Sequence, residues 1–351
     1  MKYFIRMLAL IASLTTAAVA SPLHKEQVAA DAKWLVHVDV DKLRPTTLGN
    51  TLKQFLDSQM GALKSQFDID LDWNKIGSIT AYGSSYESMP HLNGVVLINT
   101  DLDLQKALDG AIEKMSAADS NAPPPIKKTK EGVVTTYSMP DTMFVAFESG
   151  KPVILGKSRD SVQKAGEVLS GKSTNLASTR TFSEFPDSPK PFFLVAAAEA
   201  FNLSKEFAER GEDKDDSNPK AKILKLTDGG RVMLGEEANQ LVLELSLKAK
   251  TSEVVTQMQQ VVQGIIALAS LSQTDNPDLQ RLAQSAKVSA AGKIVSLQVA
   301  YPADKAVQML NSQMTGHTEH KKSADGGEGH RKKRKPKKDA ETTEPTKTDE
   351  K

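Results

Sequence analysis

Hydrophobic and polar residues alternate in several short stretches of the chain, and this pattern predicts β-strands. In WLVHVDV, residues 34–40, apolar side chains recur from Trp34 on one face, and His37 and Asp39 fall on the other. We therefore predict a half-buried strand whose His37 and Asp39 face outward. Further strands are predicted, in chain order, at IGSITAYGS, GVVLINT, GVVTTYSM, TMFVAFES, PVILGKS, PFFLVAAAEAF, RVMLGEE, QLVLELSLK, KVSAA and KIVSLQVAY.

Other segments repeat apolar residues at intervals of three and four, which is typical of helices. Asp101 or Asp103 is expected to cap one helix, and Asn276 another. The stretch VVQGIIALASL, residues 261–271, is too short to span a bilayer and favours a buried helix. Helices are predicted near residues 45–63, 104–115, 158–169, 203–210 and 252–271, and from residues 276 and 302.

The order of these elements occurs twice between residues 30 and 315. GVVLINT with the following DLDLQKALDGAIEKM resembles LVLELSL with the following TSEVVTQMQQVVQGIIALA. We predict an α+β fold of two similar halves, 21–175 and 176–315, each a mainly antiparallel sheet with helices packed on it. The alternative is two consecutive α+β layers that resemble each other only in general form.

The first twenty residues have the features of a secretory signal peptide. Lys2 and Arg6 precede an apolar run, and Ala18-Val19-Ala20 forms a cleavage site before Ser21. The chain has no cysteine, which excludes disulfides and attachment through a lipidated cysteine. We therefore expect a periplasmic or secreted protein with no transmembrane segment after cleavage.

Charge is distributed unevenly over the 351 residues, whose formal net charge is +1. Residues 317–351 contain 11 basic and 8 acidic residues and scarcely any apolar side chain, which predicts a disordered tail over 316–351. The remaining residues 21–316 carry 32 basic and 36 acidic residues, a net charge of −4.

A basic run in this tail is the densest charge in the chain. It predicts salt-sensitive binding to a polyanion, either an anionic envelope polymer, lipid head groups or extracellular DNA. A tail that only aids solubility is the alternative. The residues of the run are Arg331, Lys332, Lys333, Arg334, Lys335, Lys337 and Lys338.

Two motifs resemble ligand sites but lack parts that those sites need. GEVLSGKS, residues 166–173, matches the phosphate-loop pattern, but a predicted helix precedes it and Gly171 is expected to end that helix. The acids Asp68, Asp70 and Asp72 alternate as in a calcium loop, without its glycine and glutamate.

Three histidines of the tail, His317, His320 and His330, lack the rigid frame of a metal site. No cofactor or metal site is predicted.

Candidate catalytic groups are few and scattered. His37 and Asp39 share a strand face, and Ser161 and Lys164 have the spacing found in penicillin-binding enzymes without the companion motifs. No catalytic residue is therefore assigned, and the sequence favours an exported non-catalytic binding or structural protein. The alternative is an exported hydrolase whose fold brings together Asp39, His37, Glu236 and Glu237.

The segments WLVHVDVDKL, IGSITAYGSSY and VILGKSRDSVQKAGEVLSGK together resemble a group of exported bacterial proteins of unassigned function. This resemblance covers most of residues 30–310. It implies a location in the bacterial envelope, and it brings no catalytic residues that can be assigned to this chain.

Overall fold

A computed structural model describes residues 22–67, 72–86, 94–118, 126–139, 143–185, 190–199, 225–271, 277–308 and 311. The strands β1 to β12 are Trp34–Asp39, Ile76–Gly83, Gly94–Thr100, Lys127–Glu131, Val134–Met139, Met143–Phe147, Val153–Gly156, Phe192–Glu199, Thr227–Glu237, Gln240–Ala249, Lys287–Ala291 and Ile294–Pro302. The helices α1 to α6 are Val40–Leu43, Thr47–Phe67, Leu104–Ala118, Arg159–Leu169, Val255–Leu271 and Pro277–Ser285. Residues 303–308 are also helical.

All twelve strands form one antiparallel sheet, so the predicted α+β fold is confirmed. Its centre is the pairing of β1 with β8. Outward from this pair, the order is β1-β2-β3-β7-β6-β5-β4 on one side and β8-β9-β10-β12-β11 on the other. The predicted boundary between residues 175 and 176 lies between α4 and β8, and the strands on its two sides belong to one continuous sheet.

The two surfaces of the sheet are defined here by β1, because neighbouring side chains of a strand point to opposite sides. Face A carries Leu35, His37 and Asp39, and face B carries Trp34 and Val36. Helix α4 and the short 3-10 helices at residues 25–27 and 176–178 pack on face A. Helix α3 packs on face B at one end of the sheet and α5 at the other.

The prediction for the two faces of β1 was wrong. His37 is 3% exposed and Asp39 is 1% exposed, whereas Val36 on the other face is 36% exposed. The reason lies outside the strand: Asp39 caps α1 by accepting a hydrogen bond from Lys42 N at 3.0 Å, and the Lys42 ammonium lies 3.3 Å from its carboxylate. A polar side chain that finds partners in the fold can occupy the covered face.

Helix α5 is less buried than the sequence pattern predicts. Met258 packs against the sheet and Val262 is buried, but Leu268 and Leu271 near its C-terminus are 65% and 77% exposed. By length and composition, Ser252–Leu271 is the one segment of the described residues that meets the criteria for a membrane span, with mean hydropathy 1.3. A single such helix is weak evidence for a membrane span.

Strand β4, KKTKE, was not predicted, because it has no alternation of apolar and polar residues. It forms an edge of the sheet and pairs with β5 through backbone hydrogen bonds. Its lysines are typical of edge strands, which are protected from pairing with other chains. The predicted helix near 203–210, the cap Asn276, the signal peptide and the tail lie outside the described residues.

Candidate functional site

The strand pair β1–β2 holds the two best catalytic candidates of the sequence, and the fold encloses both. His37 Nδ1 lies 2.9 Å from Thr80 Oγ1, which is also buried. Asp39 is directed to the α1 N-terminus, as described above, and lies opposite the fully buried Ser78. A general acid or base must come within hydrogen-bond distance of substrate. His37 and Asp39 are therefore poor candidates for catalysis in this structure.

Glu236 has a structural partner at the start of α2. Its carboxylate accepts hydrogen bonds from Thr47 N at 2.9 and 3.0 Å and from Thr47 Oγ1 at 2.7 Å. A carboxylate at this position satisfies free N–H groups of the first helical turn and interacts favourably with the helix dipole. Glu237, by contrast, is exposed at the turn between β9 and β10. The four acid and base candidates of the hydrolase alternative thus do not converge on one open site.

The phosphate-loop pattern lies at the C-terminus of α4, as the sequence predicted. Gly171 adopts a left-handed φ of +71°, and its N–H donates to Val168 O at 3.0 Å. The Lys172 N–H donates to Glu167 O at 2.8 Å, which completes a Schellman motif. These N–H groups are used to end the helix and do not converge on a phosphate.

The remaining motifs are also separated or used structurally. Ser161 Oγ donates to Ser158 O at 2.9 Å, whereas Lys164 pairs with Asp31 at 2.6 Å, so the serine and lysine do not form a catalytic pair. Asp72 accepts a hydrogen bond from Asn74 N at 2.9 Å, while Asp68 and Asp70 lie outside the described residues. Within the described ranges, no cluster of three histidine or acidic residues could hold a metal ion.

A cluster of the buried Tyr137 with the partly exposed Asp109 and the exposed Lys128 connects α3 to strands β4 and β5. Lys128 Nζ lies 2.8 Å from both carboxylate oxygens of Asp109, and Tyr137 donates to Asp109 Oδ1 at 2.7 Å. Burial opposes ionisation of Asp109, but these hydrogen bonds outweigh it and lower its pKa. Burial and the neighbouring Asp109 raise the pKa of Tyr137. Since Tyr137 is fully enclosed, the cluster is a structural tie.

Polar side chains converge at one end of the sheet, where two cavities share Asp41. These cavities have volumes of 390 and 560 Å³. Strands β1, β3 and β9 end there, and β2, β7, β8 and β10 begin there. We call the two cavities together the end groove. Its polar lining includes Gln27, Asp41, Lys42, Thr46, Asn74, Lys75, Asn99, Asp101, Lys151, Glu236 and Asn239.

Arg44 holds the centre of the end groove in place. Its guanidinium lies 3.0 Å from Asp41 Oδ1 and donates to Asn74 O at 3.2 Å and Ile76 O at 3.0 Å. The guanidinium therefore connects α1 to the first residues of β2. These contacts fix the Asp41 carboxylate and the backbone of Asn74 in the end groove.

A second set of hydrogen bonds holds the far side of the end groove. Asn99 donates to Ser78 Oγ at 2.9 Å, and Lys75 O accepts from Thr100 Oγ1 and Asp101 N, each at 2.9 Å. These lining residues were missed in the sequence because they belong to two separate strands, β2 and β3, whose ends meet only in the folded sheet. The only signal was the repeated occurrence of Asn, Asp and Lys where predicted strands begin or end.

The predicted polyanion-binding residues Arg331 to Lys338 lie outside the described residues, so the fold does not test them.

Comparison of the sequence with protein families and with curated proteins finds no match. Among solved structures, a crystal form of a protein designated TP0453 is similar, with a TM-score of 0.48 and 9% sequence identity. The alignment covers 83% of this chain and 99% of that protein. A second crystal form of TP0453 gives a TM-score of 0.45 at 9% identity, with 84% and 99% of the two chains covered.

Proposed function

We propose that this chain is an exported, non-catalytic binding protein of the bacterial envelope. In this proposal the end groove binds a hydrophilic envelope polymer and the basic tail provides a second, electrostatic contact. The observation that carries the proposal is the end groove itself, where polar side chains at the ends of β2, β3, β7, β9 and β10 line two cavities that share Asp41.

The chemistry of the end groove favours hydrogen bonding to a ligand rich in hydroxyl and amide groups. Its amides, Gln27, Asn74 and Asn99, can each donate and accept. The lining holds three acids and three lysines, so neither charge dominates: Asp41, Asp101, Glu236, Lys42, Lys75 and Lys151. His37 and Asp39, the residues best suited to acid–base chemistry, are enclosed beneath this surface. Binding without catalysis is therefore the function that these groups support best.

Binding of the mature protein to insoluble peptidoglycan and to neutral envelope polysaccharide tests the role of the end groove. Lys75 and Asp101 are exposed in it, and replacing both by alanine preserves their backbone hydrogen bonds and the net charge. We expect this double variant to lose at least tenfold in affinity. A control with Lys130→Ala and Glu113→Ala makes the same charge changes at exposed sites outside the groove. Equal binding by all three proteins would refute the role of the groove.

The tail contact is tested separately with polyanions. Deletion of residues 317–351 should abolish binding to anionic vesicles and to DNA, because the rest of the mature chain is net negative. The binding constant of the intact chain should fall with a log–log salt slope of roughly −0.7 to −0.9 per phosphate contacted. Equal binding by the intact and shortened chains, or binding indifferent to salt, would contradict a tail contact.

The proposed location depends on cleavage of the signal peptide. The intact mass of protein secreted by, or released from the periplasm of, a bacterial host should correspond to a chain that begins at Ser21. Recovery of the uncleaved chain from the cytoplasm would contradict export.

We also propose that the two halves derive from a duplication. The strand order supports it: β1-β2-β3-β7 and β8-β9-β10-β12 run outward from the centre in the same sequence. The helices that follow β3 and β10, α3 and α5, both pack on face B. An experimental structure should allow superposition of the two halves strand for strand with α3 on α5. A superposition that requires a different strand order would contradict duplication.

A further inference from the structure

A cavity of 330 Å³ lies on face A between α4 and strands β5 to β7, and it shares no lining residue with the end groove. We call it the α4 cavity. Its floor consists of the buried aliphatic side chains of Ala146, Ile154 and Val162. This volume falls at the lower end of the range of about 300–1,000 Å³ that is usual for small-molecule sites.

Gly166 keeps this cavity open. It lies within α4, where glycine destabilises a helix relative to alanine. A Cβ atom at this position would meet only Ile154 Cδ1, at the ordinary contact distance of 3.8 Å. Packing therefore does not require glycine here. A longer side chain at residue 166, in contrast, would extend into the cavity.

An apolar side chain also stands exposed in the wall of the α4 cavity. Val133 is 74% exposed in the two-residue turn that joins β4 to β5. Gly132, the first residue of this turn, has a left-handed φ of +62°, as a tight hairpin turn requires. A ligand with an apolar body would cover Val133 and remove its surface from water.

The wall holds three carboxylates and two cations, Arg159 and Lys172, and one of these cations is available to bind an anion. Lys172 has no ion-pair partner among the residues that the structure describes, and it is exposed in the cavity wall. Two of the carboxylates have cation partners, since Glu131 lies 2.5 Å from Arg159 and Glu148 lies 4.0 Å from Lys151. The third, Glu167, is held in place by hydrogen bonds from Gln163 at 3.3 Å and Ser173 at 3.0 Å. The ammonium of Lys172 is the group left to bind an opposite charge.

We propose that the α4 cavity is a binding site for a small organic anion, with an apolar body on Ala146, Ile154 and Val162 and a carboxylate or sulfonate at Lys172. This site is separate from the proposed polymer-binding groove, and neither depends on the other.

Two fluorescent probes with the same ring system test the proposal on the mature chain. Anilinonaphthalene sulfonate carries an anionic group, and N-phenylnaphthylamine lacks it. The parent protein should bind one equivalent of the sulfonate in a saturable manner. Gly166→Leu should weaken both probes at least tenfold, because the leucine fills the space of the rings. Lys172→Gln should weaken the sulfonate about three- to tenfold and leave the neutral probe unchanged.

Matched variants separate the α4 cavity from other apolar surfaces. Gly110→Leu places the same side chain in the interior of α3, where a Cβ has nothing within 4 Å, and should leave binding within twofold of the parent. Lys130→Gln removes an exposed lysine that does not line the cavity and should likewise have no effect.

The outcome depends on the folded state of each variant. Leucine has a higher helix propensity than glycine, so Gly166→Leu should not lower the Tm. If it does, Gly166→Ala, whose Cβ fits, should keep the parent Tm and bind the probes more weakly than the parent. Parent-like binding of the sulfonate by Gly166→Leu would overturn the proposal. Equal loss of both probes in Lys172→Gln would overturn the assignment of the anion to Lys172.

Discussion

Face A of the sheet is buried by two different means in the two halves of the molecule. In the first half, aliphatic side chains around Leu97 and Ile154 pack beneath α4. In the second half, Arg231 lies 3.5 Å from Glu244, with the two side chains 10% and 17% exposed. Ser246 and Ser296 also face each other there, with 3.1 Å between their hydroxyl oxygens.

The difference follows from what covers each half. The amphipathic helix α4 covers the first half with a stripe of aliphatic side chains. In the second half, the segment between α4 and β8 covers Arg231 with the ring of Phe185, 5.4 Å from the guanidinium. The same segment supplies Glu184, 3.3 Å from Lys248. Partial burial opposes the charge of Lys248, but Glu184 and neighbouring carboxylates raise its pKa. In this half the described strands bury a charged pair beside a small apolar cluster of Phe192, Met233 and Val242.

The largest effect is expected where one member of the buried pair is removed. Arg231→Met leaves the Glu244 carboxylate enclosed without this cation and removes the contact with Phe185. We expect a loss of about 4 kcal/mol in the free energy of unfolding by urea. The double variant Arg231→Met with Glu244→Met should recover most of it, because no buried charge is then left over. A double variant as unstable as the single one would show that the pair is not coupled.

The aliphatic half of face A should respond through packing alone. Leu97 is fully buried beneath α4, and Leu97→Ala should lower the free energy of unfolding by about 3 kcal/mol, from lost burial and a residual cavity. Leu97→Met, which conserves volume, should cost much less. An alanine variant within about 1 kcal/mol of the parent would mean that this half can collapse around the change.

A smaller effect is expected at the paired serines of the second half. Ser246→Ala leaves the Ser296 hydroxyl without this partner and should cost about 1 kcal/mol in urea unfolding. Replacing both serines by alanine removes donor and acceptor together, so the double variant should be close to the parent. Additive losses in the double variant would argue against the hydrogen bond.

The smallest effect is expected from removing the tail. Residues 317–351 contain scarcely any apolar side chain, whereas the hydrophobic clusters of both halves lie between residues 23 and 295. The shortened chain should keep the urea midpoint of the mature protein and the slope of its transition. A lower midpoint would show that the tail contributes to the folded core.

The sequence predicted correctly those features that depend only on neighbouring residues. Ser158, Asp103 and Gly171 occupy the helix ends expected for them, since capping depends on a few neighbouring residues. The strands predicted at RVMLGEE and QLVLELSLK are β9 and β10, joined by a turn of Ala238 and Asn239, both with positive φ. Strand β4 was missed because an edge strand of polar residues depends on its pairing partner, which its own sequence does not encode.

By itself, the sequence determined the alternation of strands and helices, the α+β class, and the separation of an apolar-poor tail from the rest. These features depend on periodicity and composition, which are local. Only the tertiary structure decided that the side of β1 with His37 and Asp39 is the enclosed one, because the helices that cover it come from elsewhere in the chain. It likewise decided the end groove, whose residues are far apart in sequence, and the α4 cavity, whose wall forms only when α4 packs on strands β5 to β7.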